Sequence, residues 1–265
     1  MGNAQPVNRV SRFPNPLAFP GYILCPNGGQ VFYVCSLGIQ DEMTADIASN
    51  LVTSLATALN EARANRGDTI IVLPGHTESV TSTSHTWKAG VRVVGVGNGD
   101  ERPTFNWTAA SSQWAINVNN VSIENCVLNL AATAATTVTK AIAVTGSSSN
   151  FERNRIIMGA SGGTQVAAIG IEYGSGADKG RYVANDVFAP TDAAVVSAHK
   201  IVAAVDRLRF EDNIMDVGMS ATTNGLLTMT TAPTRLYFGY NSVRNSIASS
   251  TKAFVGIAAA DGLVE

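Results

Sequence analysis

A recurring interval of about 28 residues constrains this chain more than any other feature. The segments GVGN, IENC, FERN, YVAN, FEDN and FGYN end at Asn98, Cys126, Asn154, Asn185, Asn213 and Asn241, at spacings of 28, 28, 31, 28 and 28. A second series, WAINV, KAIAV, AAIGI, IVAAV, GLLTM and FVGI, ends at Val118, Val144, Ile171, Val205, Met229 and Ile257, at spacings of 26, 27, 34, 24 and 28. Two series sharing one period point to a solenoid. The variable spacings are read as sites of loop insertion. From residue 68 onward, Val, Ile, Thr and Ser run in groups of three to five between Gly, Asn and Ser, which is strand chemistry with short turns. The expected fold is all-β: about seven coils of about 28 residues over 68–265, stacked in parallel, with inward Val, Ile and Phe forming one core.

Parallel stacking puts equivalent residues above one another, so the Asn column has a structural explanation. Asparagine tolerates the left-handed conformation at a sharp corner, and stacked amides can hydrogen-bond from coil to coil. Cys126 would hold the same corner as a small buried substitute. The ladder Asn98, Cys126, Asn154, Asn185, Asn213, Asn241 is therefore read as structural.

Two segments precede the repeats. Residues 41–67 read as one helix, with Ile47, Leu51, Leu55, Leu59 and Ala62 on one apolar stripe. Asp41 or Thr44 would cap its start, Arg63 and Arg66 would lie in its last turn, and Gly67 would end it. Residues 1–40 carry five of the nine prolines and no Asp or Glu. Proline excludes helix and central strand there. With Arg9, Arg12, Phe13, Leu17, Phe19 and Tyr22, the segment reads as an extended docking arm. The alternative is that it packs back along its own domain. Its partner-binding residues are expected to be Arg9, Arg12, Phe13, Phe19 and Tyr22.

The stretch GDTIIVLPGHTESV (67–80), together with the repeat, resembles the first coil of the right-handed parallel β-helix, the pectate-lyase-like architecture. The resemblance covers residues 41–265, with 41–67 matching the helix that caps the coil stack. It implies fold more than function, since such folds host lyases, hydrolases and binding proteins. The order of proline-rich arm, capping helix and β-helix, with Leu73, Pro74, Gly75, His76, Thr77 and Glu78 and the N-terminal RVSRFP (9–14), further resembles a family of phage virion structural proteins. That resemblance implies decoration or cementing of a capsid, with the arm on the major capsid protein. The implied location is the capsid surface, reached from the host cytoplasm during assembly. A tail or fibre location stays open, and so does a tailspike that recognises or cleaves host polysaccharide.

The residues offer little for catalysis. His76 is read as a turn residue, because its stacked neighbours in VRVVGVGN include no carboxylate, and His85 and His199 lack an evident acid partner. Glu124, Glu152 and Glu211 share a column, and Glu124 and Glu152 fall on adjacent coils about 4.8 Å apart. This approaches the carboxylate separation of retaining glycosidases. Val183 and Gly239 interrupt that column, however, and Arg153 and Arg155 lie close enough to compensate the charge. Asp186, Asp212 and Asp216 are isolated in register, unlike a calcium cluster. Trp87, Trp107 and Trp114 are expected to pack under the cap rather than serve as sugar platforms.

The expectation is thus a non-enzymatic chain with no cofactor, no metal and no catalytic residue. A net charge of −2 gives no general field for nucleic acid or membranes. No apolar run approaches a membrane span, and no secretory leader is expected. The odd cysteine count, Cys25, Cys35 and Cys126, leaves a Cys25–Cys35 disulfide open, with free thiols favoured. Either the last dozen residues or a partner chain is expected to cover the C-terminal end of the stack. A homotrimer would supply that partner and match the threefold sites of a capsid lattice.

Overall fold

The computed structural model describes residues 28–38, 45–81, 85–130, 137–159, 167–189, 195–217, 225–244, 254–256 and 261–264. The chain forms a parallel β-solenoid. Strand β1 (Val31–Val34) is followed by helix α1 (Ala45–Ser49), β2 (Leu51–Val52), helix α2 (Leu55–Glu61), β3 (Thr69–Val72) and β4 (Thr77–Val80). The first full coil is β5 (Arg92–Gly95), β6 (Thr104–Trp107) and β7 (Trp114–Ile116). The next two are β8 (Ser122–Glu124), β9 (Val127–Asn129), β10 (Val138–Val144), and β11 (Asn150–Glu152), β12 (Arg155–Ile157), β13 (Ala167–Tyr173). Then come β14 (Arg181–Val183), β15 (Asp186–Ala189), β16 (Ser197–Ile201), and β17 (Arg209–Glu211), β18 (Ile214–Val217), β19 (Gly225–Met229). Strands β20 (Thr234–Gly239), β21 (Ser242–Arg244), β22 (Phe254–Gly256) and β23 (Asp261–Val264) complete the order.

Every third strand pairs with its equivalent in the next coil, giving three parallel sheets. Sheet A runs from β2 and β1 through β3, β5, β8, β11, β14, β17 and β20 to β23; sheet B from β4 to β21; sheet C from β7 to β22. There are about five turns, fewer than the seven expected. The coil of β3 and β4 has no third strand among the described residues.

The core is built from columns. In sheet A the register stacks Ile70, Val93, Ile123, Phe151, Tyr182, Phe210 and Phe238 inward, all buried. Sheet B contributes Phe105, Leu128, Ile156, Val187 and Met215. Sheet C contributes Ile116, Val144, Tyr173, Ile201 and Met229. In that register the coil interval is 28, 29, 28 and 28. The uneven spacings of the second sequence series came from choosing Val118, Ile171 and Val205 instead of Ile116, Tyr173 and Ile201, not from inserted loops. Alternating small apolar residues give several equivalent-looking endpoints, and only pairing selects one.

The expected single helix over 41–67 is two helices with a strand between them. Leu51 and Val52 pair with Tyr33 and Val34, adding an edge strand to sheet A. Ser54 then caps α2, its hydroxyl accepting from the Thr57 amide at 3.2 Å. Leu55, Ala58 and Leu59 of α2 pack against Phe32, Val34, Ile70 and Val72 and close the N-terminal end of the core. Ile47 of α1 covers the opposite face of sheet A, with Cys35, Ile71, Leu73 and Val96. Arg63, Arg66 and Gly67 lie beyond the helix, and Arg66 pairs with Asp68 at 2.6 Å. Asp41 and Thr44 lie outside the described residues. β1 also revises the arm boundary, because Val31–Val34 pairs in register with β3 and belongs to the solenoid.

The corner between sheets A and B holds a chain of amides. The Asn154 side-chain oxygen accepts from the Cys126 amide at 3.0 Å, Asn185 from Asn154 at 2.9 Å, Asn213 from Asn185 at 2.9 Å, and Asn241 from Asn213 at 3.0 Å. Each Nδ2 donates back to a carbonyl: Ile123, Phe151, Tyr182 and Phe210 in turn, at 2.8–2.9 Å. The left-handed residue is the one before the asparagine: Asn125, Arg153, Ala184, Asp212 and Tyr240, with φ from 53° to 56°. The asparagines therefore serve as coil-to-coil bridges rather than as the turn residues expected.

Asn98 is not part of this chain. Register sets Val96 below Cys126, and Asn98 is exposed in a loop outside the column, at the start of a 3-10 turn. The ladder ends at Cys126 for a reason. The Val96 amide already donates to the Val72 carbonyl at 2.9 Å, so an asparagine at 126 would find no donor below it. Asn98→Ala is accordingly expected to change stability by no more than about 0.5 kcal/mol in urea denaturation, as for other surface positions.

Candidate functional site

Among the described residues, three places carry the side chains that could do chemistry: the outer face of sheet A, the closed N-terminal end, and the core beside His199. On sheet A, β8 and β11 bring Glu124 and Glu152 side by side, and Val183, Glu211 and Gly239 continue the column. Neither of the first two carboxylates is free. Arg92 grips Glu124 with two hydrogen bonds, at 2.7 and 2.5 Å, Ser122 donates to it at 2.8 Å, and Arg153 lies 3.6 Å away. Arg153 also pairs with Glu152. Burial alone would raise the Glu124 carboxyl. The hydrogen bonds from Arg92 and Ser122 outweigh it and hold the group below the usual carboxylate range. A general acid on a glycosidic bond needs the opposite shift.

At the N-terminal end, sequence reading missed the central residue. Glu78 occupies the inward column of sheet B that Phe105 and Leu128 hold in later coils. Its carboxylate accepts from the Leu55 amide at the start of α2 at 2.7 Å. His76 Nε2 lies 3.1 Å from one oxygen and His85 Nε2 3.3 Å from the other. His76 Nδ1 accepts from the Ser36 amide at 2.8 Å, which puts the ring proton on Nε2, facing Glu78. Both histidines are buried, so the expectation that they lack an acid partner is corrected. The signal was present in the sequence: residues two apart in an extended segment share a face, and His76 and Glu78 are two apart.

Burial alone would raise the Glu78 carboxyl, but the hydrogen bonds from His76, His85 and the Leu55 amide bring it down to about 2. This arrangement ties the residue-36 segment, α2 and the first coil to one carboxylate. Asp68 makes a parallel tie, accepting from the Gln30 and Arg63 amides, each at 2.8 Å.

His199 lies in the core between Tyr182 and Phe210, with Tyr173 Oη 3.3 Å from its Nδ1. Burial pushes it down to about 3, so it is a neutral core residue. Trp87, Trp107 and Trp114 are buried and pack edge-on or tilted, at 4.8–5.3 Å between Trp114 and the other two. Cys35 and Cys126 are free and buried, and burial pushes the Cys126 thiol up to about 12, too high for a nucleophile. Cys25 lies outside the described residues, as do Arg9, Arg12, Phe13, Phe19 and Tyr22. Among the described residues no group of three His, Cys, Asp or Glu is arranged to hold a metal, and no helix is long and apolar enough to cross a membrane.

Comparison with protein-family models, with curated proteins and with solved structures returns no match, so function is read from the fold and its surfaces.

Proposed function

We propose that this chain is a non-enzymatic virion structural protein that decorates or cements a capsid, attached to the coat protein by its N-terminal segment. The observation that carries the non-catalytic part is the pairing of Glu124 with Arg92 and Arg153. It holds Glu124 as a carboxylate, and Arg153 also engages Glu152, while the closed N-terminal end uses its histidines to hold the cap. The attachment surface is proposed from composition: a segment with Arg9, Arg12, Phe13, Phe19 and Tyr22 and no acid presents aromatic and arginine anchors of the kind that dominate interfaces. Association as a homotrimer on local threefold sites belongs to the same reading.

Alanine at Arg9, Arg12, Phe13 and Phe19 together is expected to weaken attachment to capsids by about tenfold or more, equivalent to roughly 1.4 kcal/mol, with an unchanged melting temperature. Equal attachment by parent and variant would remove the segment from the interface. Turnover of a host surface polysaccharide by the parent chain would replace the whole reading with that of a tailspike enzyme.

A further inference from the structure

From β5 to β17, the residue two before each sheet-A strand adopts the left-handed conformation, as does its equivalent Arg235 within β20, and its identity changes along the stack. Gly90, Asn120, Ser148, Lys179, Arg207 and Arg235 hold this position, with φ between 57° and 76°. The conformation favours glycine and asparagine, which the first two coils use. Three successive coils instead use long cationic side chains, which the backbone there does not favour. Two residues further on, the outward strand column starts at Arg92, is neutral at Ser122 and Asn150, and becomes basic at Arg181 and Arg209, with Tyr237 above. A basic block therefore spans three coils at one corner, where the preceding two coils are neutral.

Part of this block is internally neutralised. Asp206 accepts from Arg207 at 2.9 Å and from Arg235 at 2.8 Å. Arg209 pairs with Glu211 at 3.1 Å and lies 4.9 Å over the Tyr237 ring. Lys179 and Arg181 are exposed, and neither has an ion-pair partner among the described residues. Lys179 stands at the left-handed turn and Arg181 opens β14 two residues further on. The Arg207–Arg209 pair lies one coil away, about 4.8 Å.

We infer that this corner binds an acidic segment of a partner protein, with carboxylates of that segment on Lys179 and Arg181. These two are the cations of this block that no carboxylate among the described residues already holds, since Arg207, Arg209 and Arg235 are paired. Arginine also pairs with carboxylates through two parallel hydrogen bonds. The block covers only three coils of a chain with net charge −2, which is too little field to hold a long polyanion such as nucleic acid. This surface is built from residues other than those of the N-terminal segment and does not rest on the capsid reading.

The test uses the full chain and a short fluorescent peptide alternating Glu and Thr, followed by anisotropy at low salt. Binding is expected to fall by about tenfold or more in Lys179→Ala/Arg181→Ala and to be largely lost at about 1 M salt. Lys179→Gly separates function from fold: it is expected to raise the melting temperature, by relieving the left-handed backbone, while weakening the peptide. A lowered melting temperature in Lys179→Gly would make the lysine structural and overturn the inference. Unchanged binding in the double variant would do the same, as would tighter binding of a heparin fragment or single-stranded DNA than of the peptide.

Discussion

Replacing Asn185 with alanine is expected to destabilise the chain by about 3 kcal/mol or more, among the largest effects of any single polar substitution here. Its side chain is buried and fully used. The oxygen accepts from the Asn154 amide at 2.9 Å, and Nδ2 donates to the Phe151 and Val183 carbonyls at 2.9 and 3.0 Å and to Asn213 at 3.1 Å. Alanine leaves a buried N–H and two buried carbonyls without these partners, each costing about 1–3 kcal/mol. The loss also falls on the interfaces with both neighbouring coils, which supply most of the stability of a solenoid unit. Asn185→Asp keeps the acceptor but turns a carboxylate oxygen toward two carbonyls, so it should be as harmful at pH 7 and less so once the group is protonated. Urea denaturation of both variants beside Asn98→Ala checks this. An Asn185→Ala cost below about 1 kcal/mol would mean that the amide chain carries little of the fold.

Glu78→Gln is the second large effect, expected at about 2–3 kcal/mol. The amide oxygen can keep the Leu55 and His76 hydrogen bonds, which share one carboxylate oxygen, but its NH2 group then faces His85 Nε2 and removes the acceptor there. The loss concentrates on α2 and the segment around Ser36, so hydrogen exchange should rise there before it rises in the later coils. The same carboxylate sets a pH dependence. Its folded value, about 2, lies below the ordinary 4.5, so the unfolded chain binds more protons between those values. The stabilisation is complete above about 4.5 and is lost as pH falls toward 2. Glu78→Gln should lack that component. A variant as stable as the parent at pH 7 would show that the carboxylate does not hold the cap.

The fold was legible because parallel stacking forces equivalent residues onto equivalent corners. Asn154, Asn185, Asn213 and Asn241 mark one such corner, and their spacing is read directly from the chain. Asn98 fits the same spacing by coincidence: the loop that holds it lies between Val96, the true corner residue, and β6. The two helices were fused because Leu51 continues the apolar stripe, while only its pairing with Tyr33 reveals a strand. The carboxylates of sheet A were found by register, and their arginines in part: Arg153 was expected, whereas Arg92 comes from one coil earlier and is reached only through pairing. Arg155 pairs with Asp186 at 3.9 Å instead of with a glutamate. Glu78 was missed because its partners, at 55, 76 and 85, are brought together by the fold rather than by the repeat.

The most direct test of the proposed role is co-sedimentation with empty capsids from the same genome, using the full chain and a variant lacking residues 1–27, a boundary that spares β1. The account predicts that the full chain sediments with the capsids and that the shortened one stays in solution with its fold intact. Sedimentation of both would contradict attachment through the N-terminal segment, and sedimentation of neither would contradict capsid decoration.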